Sequence, residues 1–265
     1  MIIDFHTHVF PEKIVEKALS VLSETGGNLI LYSDGTINGL IDNMNSDKVE
    51  KSVILSIATN EKQMKNVNDF AISLNNYDNK IISFGSVHPL AENAVEELYR
   101  IKESGLKGVK FHPEYQDFFV DDPKMAKIYE AINKLDLITV FHAGMDDAFS
   151  EPVKASPERF KNMLSDFKTP VVLAHMGGYI MWSDVEKHLI GIDKLYFDTS
   201  FCFSRIPLPL MERIVTNHGT DKILFGSDMP WSLPKMEKRL IDALYLTDNE
   251  KENIFYKNAE QLLKL

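Results

Sequence analysis

The feature that most constrains this chain is an alternation, repeated from end to end, of short branched apolar runs with stretches of helical spacing. Ser52-Val53-Ile54-Leu55-Ser56-Ile57 reads as a strand buried on both faces, because such strands carry near-continuous Val, Ile and Leu. Similar runs recur at residues 81–87, 106–112, 137–142, 170–175, 195–200 and 222–228, and the chain opens on another, residues 1–8. After Pro11-Glu12, the residues Ile14, Ala18, Val21 and Leu22 fall at helical spacing until Gly26-Gly27. Helical spacing returns at 36–45, 61–77, 92–102, 122–135, 157–167, 183–189 and 208–218, and two further helices close the chain. Strands separated by helices must pair in parallel, and eight such units close into a barrel. The expected fold class is α/β, a single (β/α)8 TIM barrel forming one domain over residues 1–265. The length of 265 residues suits a fold of ~250, and 44% hydrophobic residues supply its core.

Thirty-nine acidic against 29 basic residues give a net charge of −10, which argues against nucleic acid or an anionic membrane as partner. The expected partner is a small-molecule substrate, with a homodimer as an open alternative. The one cysteine, Cys202, precludes an internal disulfide and fits a reducing compartment. No charged-then-apolar leader precedes the first motif, and no apolar run approaches 18 residues, so a cytoplasmic location is expected.

Barrel enzymes carry their chemistry at the C-terminal ends of the strands. Those ends hold His6 and His8, His88, His112, His142, His175 and Asp228, six of the eight histidines. His188 and His218 fall on helices and read as surface residues. In Asp4-Phe5-His6-Thr7-His8 the period of two places Asp4, His6 and His8 on one face, so two imidazoles can hold one ion. Neutral imidazole with carboxylate suits a divalent metal, Zn²⁺ first, with Mn²⁺, Fe²⁺ or Ni²⁺ as alternatives. A carboxylate at Asp228 beside an activated water can also accept that water's proton.

The pattern of His-x-His on the first strand, His on the fifth and sixth and Asp on the eighth resembles the amidohydrolase superfamily. More narrowly it is similar to the amidohydrolase 2 group, which also includes decarboxylases related to aminocarboxymuconate semialdehyde decarboxylase. The phrases that carry the resemblance are Asp4-Phe5-His6-Thr7-His8, Gly108-Val109-Lys110-Phe111-His112-Pro113, Phe141-His142-Ala143-Gly144, Ala174-His175-Met176-Gly177-Gly178 and Phe225-Gly226-Ser227-Asp228-Met229-Pro230. The resemblance implies His6, His8, His142 and Asp228 as ligands of one metal, and Asp228 and His175 as the catalytic pair. In two-metal members the sixth-strand histidine, here His175, binds a second ion, and a carbamylated fourth-strand lysine bridges the two metals. Lys110 lies two residues before the strand-end His112, one layer too deep for such a bridge, and is expected to be structural, paired with Asp4 or Asp198.

Weaker candidates are His112, Arg205 and Trp231. His112 stands at the fourth strand's end, Arg205 follows the seventh strand where it could clamp a substrate carboxylate, and Trp231 could cover a substrate at the rim. His88 is expected in a polar pocket or a structural role. The expected activity is hydrolysis, a metal-activated water attacking an amide, lactone or ester carbonyl of a small molecule. The alternative is non-oxidative decarboxylation of a small carboxylic acid, against which chain length weighs, since those enzymes tend to be longer. Substrate selection is expected in loops 28–35, 114–122, 144–156 and 201–207.

Overall fold

A computed structural model describes residues 1–265 as eight short parallel strands with helices between them. The strands are β1 (Ile3–Thr7), β2 (Lys51–Leu55), β3 (Ile81–Phe84), β4 (Gly108–Phe111), β5 (Ile138–Phe141), β6 (Val171–Leu173), β7 (Leu195–Asp198) and β8 (Ile223–Leu224). Regular pairing runs β1-β2-β3 and β4-β5-β6-β7-β8. Backbone hydrogen bonds close the two seams between these sheets. Gly85 N–H donates to Gly108 O at 3.0 Å and Lys110 N–H to Gly85 O at 2.8 Å, joining β3 to β4. Phe5 N–H donates to Phe225 O and His8 N–H to Met229 O, both at 2.7 Å, joining β1 to the segment after β8. The result is the expected (β/α)8 barrel. β8 is far shorter than the run 222–228: the Phe225 N–H turns to Ile254 O rather than to a neighbouring strand, and Asp228 adopts a left-handed φ of +69°.

The helices are α1 (Val15–Thr25), α2 (Ile37–Asp47), α3 (Glu61–Asn75), α4 (Ala94–Glu103), α5 (Ala126–Leu135), α6 (Pro157–Met163), α7 (Trp182–His188), α8 (Leu208–His218), α9 (Pro234–Asp242), α10 (Asp248–Glu252) and α11 (Asn258–Leu263). Their starts follow local chemistry. Thr36, Asn60 and Ser156 accept from backbone N–H groups three residues on, Pro157 stands at the first position of α6, and Thr247 with Glu250 forms a capping box. The barrel interior is filled by Ile3, Phe5, Val53, Phe84, Val140 and Leu224, and Leu262 and Leu263 of α11 join this cluster from outside the strands. A larger apolar layer lies between the strands and the surrounding helices. No helix is long and apolar enough to cross a membrane.

Two expectations fail here for physical reasons. β1 does not alternate evenly: its register on β2 shifts between Asp4 and Thr7. The irregularity lets Phe5 join the interior cluster beside Phe84 while the next residue, His6, also reaches inward to Asp198. Asp4 therefore parts from the two histidines and bonds Ser227, from which it receives the backbone N–H at 2.8 Å. His218 is not a surface residue. It is buried, stacks on Phe197 at 4.1 Å, donates from Nε2 to Leu195 O and accepts Gly191 N–H at Nδ1.

Candidate metal centre

Each strand-end histidine is aimed by the partner of its outer ring nitrogen. His8 donates from Nδ1 to Leu55 O at 2.8 Å, His175 from Nδ1 to Ser200 O at 3.0 Å, and His142 from Nε2 to Met145 O at 3.0 Å. A carbonyl only accepts, so those nitrogens carry the protons and the opposite nitrogens keep free lone pairs. His6 is held at Nδ1 by Asp198 Oδ2, 2.8 Å away. Such carbonyl and carboxylate supports are what orient metal-ligating imidazoles. Gly226 makes room for this arrangement, because a Cβ there would stand 2.9 Å from His6 Cβ.

The freed atoms converge. His6 Nε2 and His8 Nε2 are 3.2 Å apart, and Asp228 Oδ1 lies 3.3 Å from the first and 3.1 Å from the second. His142 Nδ1 faces His175 Nε2 at 3.1 Å. Burial, reinforced by neighbouring positive charge, depresses the imidazoles: His6 falls well below its ordinary range, His142 to about 3 and His175 to about 4. Burial works to raise Asp228, but the close contacts with the His8, His6 and His175 rings outweigh it and hold the carboxyl below its usual range. Neutral imidazole lone pairs and an ionised carboxylate packed face to face repel one another unless a cation lies among them. This donor set fits a divalent metal.

The ligand atoms of His6, His8 and Asp228 all lie within 4.8 Å of one another. The fourth expected ligand, His142, is not in that tight group. Its Nε2 side associates with His112 and Asp146, while its Nδ1 reaches the centre through His175. Asp146, which the sequence reading did not single out, sits 3.4 Å from His112 Nε2 and 4.0 Å from His142 Nε2. Burial opposes its ionisation, yet the bond to His112 holds it below the ordinary carboxylate range. Its one sequence signal is an acid four residues beyond a strand-end histidine.

Lys110 is buried with its amine 3.4 Å from His6 Nε2, and burial lowers it to about 8. No carboxylate lies within ion-pair distance of it, so the expected partnership with Asp4 or Asp198 is absent: Asp4 serves Ser227, and Asp198 serves His6 and Ser200. His112 stacks on His142 at 4.1 Å, and both, with Trp231, line a cavity of about 860 Å³ that includes the metal centre. Arg205 does not line it. Its guanidinium lies 3.5 Å over the Phe201 ring, and Phe201 occupies the wall instead. His88 stays outside the cavity, half-buried.

Comparison with known proteins gives a consistent placement. A family model described as amidohydrolase matches residues 3–265. No curated protein matches the chain. Among solved structures, an uncharacterized TIM-barrel protein from Bordetella bronchiseptica aligns with a TM-score of 0.79 at 17% identity, covering 99% of this chain and 98% of that one. 2,6-Dihydroxybenzoate decarboxylase from Rhizobium aligns with a TM-score of 0.71 at 16% identity, covering 99% and 98%. 5-Carboxyvanillate decarboxylase from Novosphingobium aromaticivorans, with bound manganese, aligns with a TM-score of 0.72 at 14% identity, covering 100% and 97%. These likenesses establish the shared barrel.

Proposed function

The chain belongs to the amidohydrolase family, and from that premise we propose that it is a metal-dependent hydrolase of a carbonyl-type bond, amide, lactone or ester, in a small molecule. The ion, zinc first with manganese as the alternative, would be held by His6, His8, His142 and Asp228 and would supply Lewis-acid polarisation and water activation. Asp228, ionised and in contact with both His6 and His8, accepts the proton of the attacking water and passes it to the leaving group. His175, its Nδ1 fixed on Ser200 O, offers Nε2 as a hydrogen-bond acceptor that orients the water. The Lys110 amine lies close enough to steady negative charge that develops on the substrate oxygen.

The observation that carries hydrolysis over its rival is the position of Arg205. The arginine placed to clamp a substrate carboxylate is turned onto Phe201, and no arginine lines the cavity; its cations are Lys13, Lys17 and Lys110, and Asp146 and Asp147 stand on the same wall. Decarboxylation remains the second reading on a specific ground: two solved barrels that align over nearly the whole chain are decarboxylases, and Lys110 is a buried amine without a carboxylate within ion-pair distance. The test is turnover of a panel of lactones, amides, esters and aryl or enoic acids by metal-reconstituted protein in oxygen-18-labelled water, with the label read in the organic product. Label in the product acid supports hydrolysis. CO₂ release without label overturns it in favour of decarboxylation.

A further inference from the structure

The inner wall of the cavity is chemically busy, but most of its remaining wall is apolar and leads away from the metal centre between α1 and α3. Ile14, the residue that caps α1, and Ala18, Val21 and Leu22 on the helix face it, at positions i, i+4, i+7 and i+8, one apolar stripe beside Lys13 and Lys17. Across from them stand Val67 and Phe70 of α3.

An amphipathic helix ordinarily spends such a stripe on the protein core. α1 does not. Leu19 is its one buried residue, and Leu19 with Val15 packs against Gly35, where a Cβ would come within 2.9 Å of Leu19. That contact anchors the helix by a different face. The cavity stripe is left half uncovered: Ile14 is 52% and Val21 49% exposed. Leaving these carbons against water is unfavourable in proportion to their area, so the wall is shaped for an apolar occupant.

We propose that this arm binds a hydrocarbon portion of the substrate, an alkyl chain of several carbons, whose reacting carbonyl sits at the metal centre. The inference rests on the metal-centre reading above and adds the substrate class to it. The occupant is part of the substrate because the arm and the donor set of His6, His8 and Asp228 line one continuous cavity. The volume of about 860 Å³ lies toward the upper end of small-molecule sites, more than a single compact ring needs. Selection would then depend on α1 and α3 rather than on the loops after the strands.

The test uses zinc-loaded protein and the series acetohydroxamate, butanohydroxamate, hexanohydroxamate, octanohydroxamate and decanohydroxamate, whose common head chelates the ion while only the tail grows. Dissociation constants are measured by calorimetry for the wild type, Val67→Asp and Ala18→Glu, with circular dichroism to confirm folding. The expected result is a gain of about fourfold per methylene in the wild type, equivalent to about 0.8 kcal/mol, flattened in each variant that folds. Wild-type constants independent of chain length, or a gain left intact in a folded variant, overturn the arm while the metal centre stands. Acetohydroxamate that fails to bind overturns the metal-centre reading and the arm as its extension. A concentration-dependent dimer that Val21→Asp dissociates and long hydroxamates do not disturb would assign the stripe to a second copy and also overturn the proposal.

Discussion

Gly226 stands directly against His6: a Cβ on the glycine would lie 2.9 Å from His6 Cβ and 3.3 Å from Ser200 Cβ. Both neighbouring atoms are fixed by their own backbones, so no rotamer change can relieve the overlap. At the same place Asp228 N–H donates to His6 O at 2.8 Å, so the seam that closes the barrel also sets the spacing of two metal ligands.

Gly226→Ala should therefore push β1 away from the segment after β8. The expected cost is about 1–3 kcal/mol in stability, as for other overpacked interiors, with a weaker hold on zinc. Urea denaturation of the metal-free protein and competition with a chelator measure the two separately. Wild-type zinc affinity in the alanine variant would show that the seam does not set the site.

The strand ends were legible because a parallel barrel must bury its strands, leaving the first polar residue after each run at the mouth. His6, His8, His112, His142, His175 and Asp228 are all found there by that logic. Features that depend on contacts between distant segments were not legible. The register shift in β1, which separates Asp4 from the histidines, answers to the pairing of Asp4 with Ser52 and Thr7 with Ile54 on β2. His218 looked like a helix-surface residue because nothing local announces Phe197 beneath it. Arg205 follows β7 as a clamp would, but the Phe201 ring captures its guanidinium. The spacing of Ile14, Ala18, Val21 and Leu22 announces an apolar stripe, but periodicity reports an apolar face without saying what covers it.

Lys110→Met tests the number of metals. Because no carboxylate lies within ion-pair distance of the amine, its removal breaks no salt bridge and spares the desolvation of a buried ammonium, and stability should hold or rise by about 1 kcal/mol. With His6, His8, His142 and Asp228 as the ligands, one equivalent of zinc should remain by elemental analysis. Loss of metal in a stable variant would make Lys110 a ligand and reopen a two-metal site.

Glu237 gives a pH signature remote from the metal. It is buried, accepts Cys202 N–H and Phe203 N–H, and ties α9 to the loop after β7; burial pushes its carboxyl up from 4.5 to about 8 against those bonds. The folded state thus holds a proton that the unfolded chain releases. Its contribution to stability is complete below about 4.5 and is lost as pH rises through about 8. Relative to Glu237→Gln, the wild type should lose on the order of 1–3 kcal/mol between these limits. Urea denaturation at the two pH values measures it, and an offset between the proteins that does not change with pH refutes the assignment.

Asp228 separates binding from proton transfer. Its left-handed φ of +69° is one that asparagine adopts almost as readily as aspartate, so Asp228→Asn keeps the backbone turn, whereas alanine would strain it. The amide oxygen can still face His6 Nε2 and His8 Nε2, which lie 3.3 and 3.1 Å from the carboxylate, so much of the zinc affinity should survive. What the amide cannot do is accept a proton. With any substrate found in the panel, turnover should fall on the order of 10²–10⁴-fold at comparable zinc content. Wild-type turnover with zinc in place would remove Asp228 as the base. The role would then pass to His175, whose Nε2 also faces the centre and whose variant, His175→Gln, becomes the decisive comparison.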